Sequence, residues 1–240
     1  MLKVNEIFGP TIQGEGRSAG MRVLFLRLST CNLHCVWCDT PYTWNWIGTK
    51  WSHPEKFDRS KETQEMSDRE VLSKLSELCG GTTKALVLSG GEPLLQWKKL
   101  IPVLATLKRV GWWIEVETNG TVASPPALDK FVDQYNCSPK LSNSGDERRL
   151  RIRPQALTKL VANPKVFFKF VVASEKDIEE VKEYVNVFRI SHKNIYLMPL
   201  GKTPEELKET RENTQVLCEK YHFNFSDRLH IVQFGGIRGV

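Results

Sequence analysis

Apolar runs alternate with amphipathic stretches along this chain, at a spacing of about 30 residues, which is the signature of repeated βα units. No other feature limits the fold as strongly. A strand that is nearly continuous in apolarity has to be covered on both faces, and that is the situation of strands in a parallel sheet. The strand candidates are 21–29 (MRVLFLRLS), 84–90, 112–118, 166–173, 194–200 and 228–234, with a shorter one inside 130–139. The helix candidates are 67–80, 94–111, 174–188 and 203–222. Ser67 with Glu70, and Gly80 as a stop, frame the first. Lys108, Arg109 and Gly111 close the second. Ser174 opens the third, and Thr203 before Pro204 opens the fourth. Six or seven strands are one or two short of an eight-stranded barrel. The expected class is therefore α/β, an incomplete TIM-like βα barrel with a parallel sheet; a doubly wound open sheet is the alternative. The 240 residues suit a single domain, 1–240. The stretch 42–66, with Trp44, Trp46 and Trp51 followed by mixed charges, interrupts the alternation and reads as an inserted loop or small lobe.

Three of the six cysteines, Cys31, Cys35 and Cys38, crowd into TCNLHCVWCDT (30–40). The N-terminus has no apolar signal region and no run approaches the ~20 residues of a membrane span, so a cytoplasmic location is expected and a disulfide framework is not. Cys79, Cys137 and Cys218 are scattered and read as buried small hydrophobes. A structural zinc or a saturated iron–sulfur cluster takes four protein ligands, so three leave one metal position open. Soft thiolates suit iron–sulfur, zinc or Cu(I). His34 is the only nearby fourth ligand for zinc, and it lies awkwardly inside the same short loop. The cysteines follow strand 21–29 directly, at the carboxyl end where α/β folds build their sites. LSGGEP (88–93) ends the next strand; its glycines let backbone approach a ligand closely, Glu92 can accept from an amine, and Pro93 starts a helix. The net charge of +6 favours anionic substrates. The densest basic run, ERRLRIRP (147–154), lacks the aromatic interleaving of a single-strand binder, so no nucleic-acid partner is expected.

The Cys-x3-Cys-x2-Cys loop followed by Gly-Gly-Glu-Pro resembles the radical S-adenosylmethionine (SAM) superfamily. Further pieces are EIFGPTIQGEG (6–16), FLRLSTCNLHCVWCDTPYTW (25–44), VETNGT (116–121), CSPK (137–140) and RLHIVQFGGIRGV (228–240). Together they are similar to the 7-carboxy-7-deazaguanine synthase family, from residue 6 to the last residue and most weakly across 42–66 and 141–165. The resemblance implies a lyase of queuosine and deazapurine biosynthesis that turns 6-carboxy-5,6,7,8-tetrahydropterin into 7-carboxy-7-deazaguanine, with ring contraction and loss of ammonia. It implies one 4Fe–4S cluster on Cys31, Cys35 and Cys38, with SAM on the fourth iron and cleaved to a deoxyadenosyl radical. Gly91, Glu92, Ser138, Pro139 and Lys140 would hold SAM. Ile12, Gln13, Gly14, Glu15, Arg27, Ser89, His230 and the terminal Val240 would surround the pterin, the Gln13 amide or nearby backbone reading its polar edge. Thr40 would ligate Mg²⁺. A flavodoxin or ferredoxin would supply the electron, no membrane partner is implied, and exposed tryptophans around 44–51 suggest a homodimer. Met198-Pro199 departs from the Gln-Pro expected there. An activase that installs a glycyl radical on a partner enzyme is the alternative reading, and a non-catalytic metal module the third.

Overall fold

Along each central strand the side chains alternate between two chemically different faces, and this alternation builds the site. The computed structural model describes residues 1–49 and 56–240. Its strands are β1 (Leu2–Ile12), β2 (Arg22–Leu28), β3 (Gln64–Met66), β4 (Ala85–Gly90), β5 (Trp113–Thr118), β6 (Gln134–Cys137), β7 (Val166–Val172), β8 (Ile195–Pro199) and β9 (Asn224–Phe225). They form one open sheet in the order β3-β1-β2-β4-β5-β6-β7-β8-β9. From β2 onward all pairings are parallel and follow the chain without reversal. A doubly wound sheet would reverse its order at a switch point, so the incomplete barrel is the form adopted. β1 is the exception, antiparallel to both β2 and β3.

The helices are α1 (Arg59–Glu62), α2 (Asp68–Cys79), α3 (Trp97–Arg109), α4 (Pro126–Asp129), α5 (Arg148–Arg151), α6 (Pro154–Ala162), α7 (Glu175–Phe188), α8 (Pro204–Tyr221) and α9 (Leu229–Phe234). Caps set their ends as the sequence suggests. Ser67 and Glu70 form a reciprocal capping box on α2, and Gly80 closes it in the left-handed region. The Thr203 side chain accepts from Glu206 N at the start of α8. Buried residues of α2, α3 and α7, such as Leu75, Leu104 and Val181, pack in one core with Leu24, Leu26, Leu86, Leu88, Ile114 and Val116 of the sheet. Burying each such side chain contributes roughly 1.5–3 kcal/mol.

The other face of the sheet is different. Val23, Ala85 and Val87, with Met21, Phe25 and Trp113, close its amino end with a small apolar cluster. Toward the carboxyl end it turns polar: Arg27 lies opposite Ser89, Glu115 opposite Gln134, and Glu117 opposite Asn136. The near-continuous apolarity of the strand candidates thus conceals charged or polar positions on one face toward the carboxyl ends of the strands.

Two expectations are corrected. Residues 228–234 are not a strand: the last sheet position goes to Asn224–Phe225, and Leu229–Phe234 forms α9, with only Ile231 buried. The alternation in RLHIVQF loses to tertiary contacts, chiefly Leu229 N on the carbonyl of Gly14 at 2.9 Å. The tryptophans near 44 are not an exposed face either. Trp44 is buried and stacks on His34 at 4.7 Å, and Trp46 lies under the Arg59 guanidinium. Trp51 lies outside the described residues. Arginines of the basic run are engaged in ion pairs: Arg148 with Glu183, Arg149 with Glu147, and the buried Arg151 with Glu180. Among the described residues, no helix is long and apolar enough to cross a membrane.

Candidate active site

A cavity of about 600 Å³ opens at the carboxyl ends of the strands, within the ordinary range for a small-molecule site. Cys31, Cys35 and Cys38 stand on one wall. None of the three forms a disulfide. The loop that carries them is held from outside: His34 N donates to Asp146 Oδ1 at 3.0 Å, and Val36 N donates to Ser144 O at 2.9 Å. N–H groups point at the sulfurs. Leu33 N is 3.5 Å and Asn119 Nδ2 3.8 Å from Cys31 Sγ, and Trp44 Nε1 is 3.3 Å from Cys38 Sγ. Burial pushes the Cys31 thiol up to about 12 and raises Cys35 and Cys38 as well. Thiols so buried become thiolates when a cationic centre supplies the compensating charge. The soft donor set, its clustering and the N–H groups aimed at sulfur therefore fit an iron–sulfur cluster.

The GGEP turn lies beside them, and the structure gives its glycines a more local reason than ligand approach. A Cβ on Gly90 would overlap the backbone of Leu28, and one on Gly91 the carbonyl of Thr30, so the bare backbones let the end of β4 press against the end of β2. Gly91 still lines the cavity; Glu92 and Pro139 do not. Glu92 has no exposed surface, and its carboxylate accepts from Leu94 N, Thr118 Oγ1 and Asn119 N at 2.7–3.0 Å. Its oxygens are engaged there rather than on an amine in the cavity, and they aim Asn119 at Cys31. Burial pushes the Glu92 carboxyl up to about 7. Ser138 and Lys140 reach the cavity, the Lys140 ammonium 3.1 Å from Ser138 Oγ and over the Trp37 ring.

Ile12, Gln13, Gly14, Glu15, Arg27, Ser89, His230 and Val240 also line the cavity. Arg27 donates from Nε to Glu6 Oε1 at 2.6 Å, and its NH1 is 3.4 Å from Ser89 Oγ. The Gln13 side chain turns away from the cavity. It is 3% exposed, and its amide nitrogen donates to Glu115 and Glu117, so the backbone of 13–15 is what faces inward. Thr40 lines the cavity with Oγ1 3.7 Å from Cys38 Sγ, and its carbonyl starts the Pro41–Thr43 turn.

Sequence reasoning missed the charges that organise this part of the cavity. Lys169 of β7 is 4% exposed; it donates to Glu15 Oε2 at 2.5 Å and to Glu117 Oε2 at 3.0 Å. Arg228 is 5% exposed; it donates from Nε to Glu15 Oε1 at 3.0 Å and also to Asp39 and the carbonyl of Gly201. Burial by itself would raise the Glu15 carboxyl, but Lys169 and Arg228 hold it well below its usual 4.5. Glu15 is therefore an ionised acceptor at neutral pH. Burial lowers His230, which leaves that ring neutral. Lys169 sits within VFFKFVV and Arg228 opens RLHIV; a cation in or at the edge of an apolar run was the available signal for both.

Residues 27–214 match the model of the radical SAM superfamily. The chain is 33% identical to the 7-carboxy-7-deazaguanine synthase of Pyrobaculum aerophilum over 99% of its length and 97% of that relative. It is 32% identical to the synthase of that name from Hyperthermus butylicus, over 97% of this chain and 92% of the relative. The crystal structure of QueE from Escherichia coli superposes with a TM-score of 0.67 at 25% identity, covering 95% of this chain and 94% of that one.

Proposed function

The chain belongs to the radical SAM superfamily and, within it, to the 7-carboxy-7-deazaguanine synthase family; on that premise we propose that it converts 6-carboxy-5,6,7,8-tetrahydropterin to 7-carboxy-7-deazaguanine in deazapurine biosynthesis. The observation that carries this reading is that the three cysteines and the Gln13–Glu15 backbone line the same cavity. The bound 4Fe–4S cluster and SAM supply the hydrogen-abstracting radical.

The protein's own part is to bind, orient and exclude water. Glu15 keeps lone pairs beyond those taken by Lys169 and Arg228, and it accepts from the aminopyrimidine N–H groups. The backbone of Ile12, Gln13 and Gly14 lies along the ring. Arg27, held through Nε by Glu6, turns its remaining N–H groups toward the substrate carboxylate. Ser89, neutral His230 and Val240 complete the pterin's surroundings. Gly91, Ser138 and Lys140 lie where SAM is expected, with Pro139 and Glu92 behind them. The Thr40 hydroxyl would hold a Mg²⁺, whose chemistry there would be to orient the substrate carboxylate. A flavodoxin- or ferredoxin-type protein delivers the electron, and the enzyme works as a homodimer.

Anaerobic reconstitution with iron and sulfide, followed by dithionite, SAM and the pterin, tests this. Both 5′-deoxyadenosine and the deazaguanine are expected. Deoxyadenosine without the deazaguanine would overturn the reading in favour of the activase, and neither product would overturn the radical scheme. Thr40→Ala is expected to lower stimulation by Mg²⁺; unchanged magnesium dependence would remove Thr40 from its role.

A further inference from the structure

Glu115 has no exposed surface and lies beneath the cavity rather than on its wall. Four side chains from two parts of the chain converge on its carboxylate. Gln13 Nε2 and Ser18 Oγ donate to it from the β1–β2 connection, and Gln134 Nε2 at 3.1 Å and Asn136 Nδ2 at 2.7 Å donate from β6. Gln13 and Ser18 belong to one turn, closed by Gln13 N on Met21 O at 2.8 Å and Gly20 N on Gln13 O at 2.7 Å. A single buried carboxylate therefore grips both arms of this turn from below.

The residues between those arms are tied from above. Leu229 N donates to Gly14 O at 2.9 Å, and Gly16 N donates to Ser226 Oγ at 2.7 Å. The segment that faces the cavity is thus fixed on one side by the C-terminal chain and on the other by Glu115. A side chain without acceptor oxygens at 115 would leave several buried donors short of an acceptor, and each such loss is costly where water cannot substitute. Glu117, on the same face, shares the Gln13 and Asn136 amides but turns to Lys169 and the cavity. The two carboxylates divide the work: Glu117 stands at the wall and Glu115 braces it.

We propose that Glu115 is a positioning residue for substrate binding: through Gln13 and Ser18 it sets the Gln13–Glu15 backbone against the cavity. This inference rests on the reading of that backbone as a pterin contact.

The test titrates 6-carboxy-5,6,7,8-tetrahydropterin into the reconstituted enzyme with SAM and without reductant, so that affinity is read without turnover. Glu115→Ala is expected to raise the pterin Kd about ten-fold or more, the loss of several buried hydrogen bonds, while the SAM Kd stays within about two-fold. Glu115→Gln is expected to fall between, because it keeps the shape but presents an amide to amide donors. Ser18→Ala removes one arm only, at a half-buried turn, and is expected to weaken pterin binding about three-fold even where Glu115→Ala fails to fold. Folded variants that bind the pterin as wild type does, or that lose pterin and SAM affinity together, would overturn the inference alone. A wild-type enzyme that does not bind the pterin would overturn the proposed function and this inference with it.

Discussion

Gly14 lies so close under His230 that a methyl group on its Cα would overlap the imidazole ring, and it would also meet the His230 backbone nitrogen at 2.9 Å. Gly14 is not in the left-handed region, so the demand is for space and not for backbone freedom. Gly14→Ala is therefore expected to push α9 off the cavity and weaken pterin binding about ten-fold or more, at modest cost in stability. Adding His230→Ala removes the ring and should restore part of that affinity. Gly14→Ala binding the pterin as tightly as wild type would show that α9 has room to spare.

Arg228 joins Glu15 and Asp39, two carboxylates from opposite ends of the N-terminal region, to the start of α9. Removing Arg228 leaves Glu15 to Lys169 alone and the half-exposed Asp39 to water, so the cost should lie below the ~3–5 kcal/mol of a buried charge that loses its sole partner. Arg228→Met should lower the urea midpoint accordingly. Adding Glu15→Gln should return part of the loss, because it removes the less compensated charge. Additive effects of the two changes would mean that the pair is not coupled.

Acid should weaken the fold through Glu15. Its folded pKa lies well below the usual 4.5, so above that value the folded chain keeps it ionised and the full contribution is present. As pH falls below 4.5 the unfolded chain takes up a proton that the folded chain resists, and stability is lost. Glu15→Gln should flatten this limb of the stability–pH curve. An equally steep limb in the variant would assign it to other groups.

Glu92 predicts the opposite slope. Its folded pKa is about 7 against an ordinary 4.5, so between these values the folded chain binds the extra proton and stability falls as pH rises. In the metal-free chain this limb should be absent from Glu92→Gln, as urea melts at several pH values would reveal.

Gly91→Ala sets a Cβ against the carbonyl of Thr30, the residue before Cys31. It should displace the cysteine loop and lower iron per chain after reconstitution, read by iron analysis and visible absorbance. Cys31→Ala, Cys35→Ala and Cys38→Ala should each lose the cluster. Iron retained at wild-type level in any cysteine variant would remove that sulfur from the ligand set.

The βα framework was legible because its signals are local. The Ser67–Glu70 box, Gly80 and the apolar cores of β2, β4 and β7 sit where the sequence puts them. β1 was hidden by Gly9-Pro10, which reads as a break and instead falls where its register with β2 shifts. α6 lies in 141–165, where the sequence resemblance is weakest. α9 was read as a strand because RLHIVQF alternates, while its actual course is set by Gly14, far away in sequence. The cysteines, Glu15 and Arg27 announced themselves by motif. Lys169, Arg228 and Glu115 did not, because a charge within an apolar strand shows its purpose only when the strands beside it are known.

The contact of Arg228 with Glu15 and Asp39 also has a consequence in time. A chain is made from its N-terminus, and the Cys31–Cys38 loop leaves the ribosome long before Arg228 is synthesised. Until then the two carboxylates lack the cation that gathers them, and the Gln13–Glu15 turn lacks its cover. The cysteine loop and the Gln13–Glu15 turn are thus made early but reach their folded arrangement only once Arg228 and α9 have joined them.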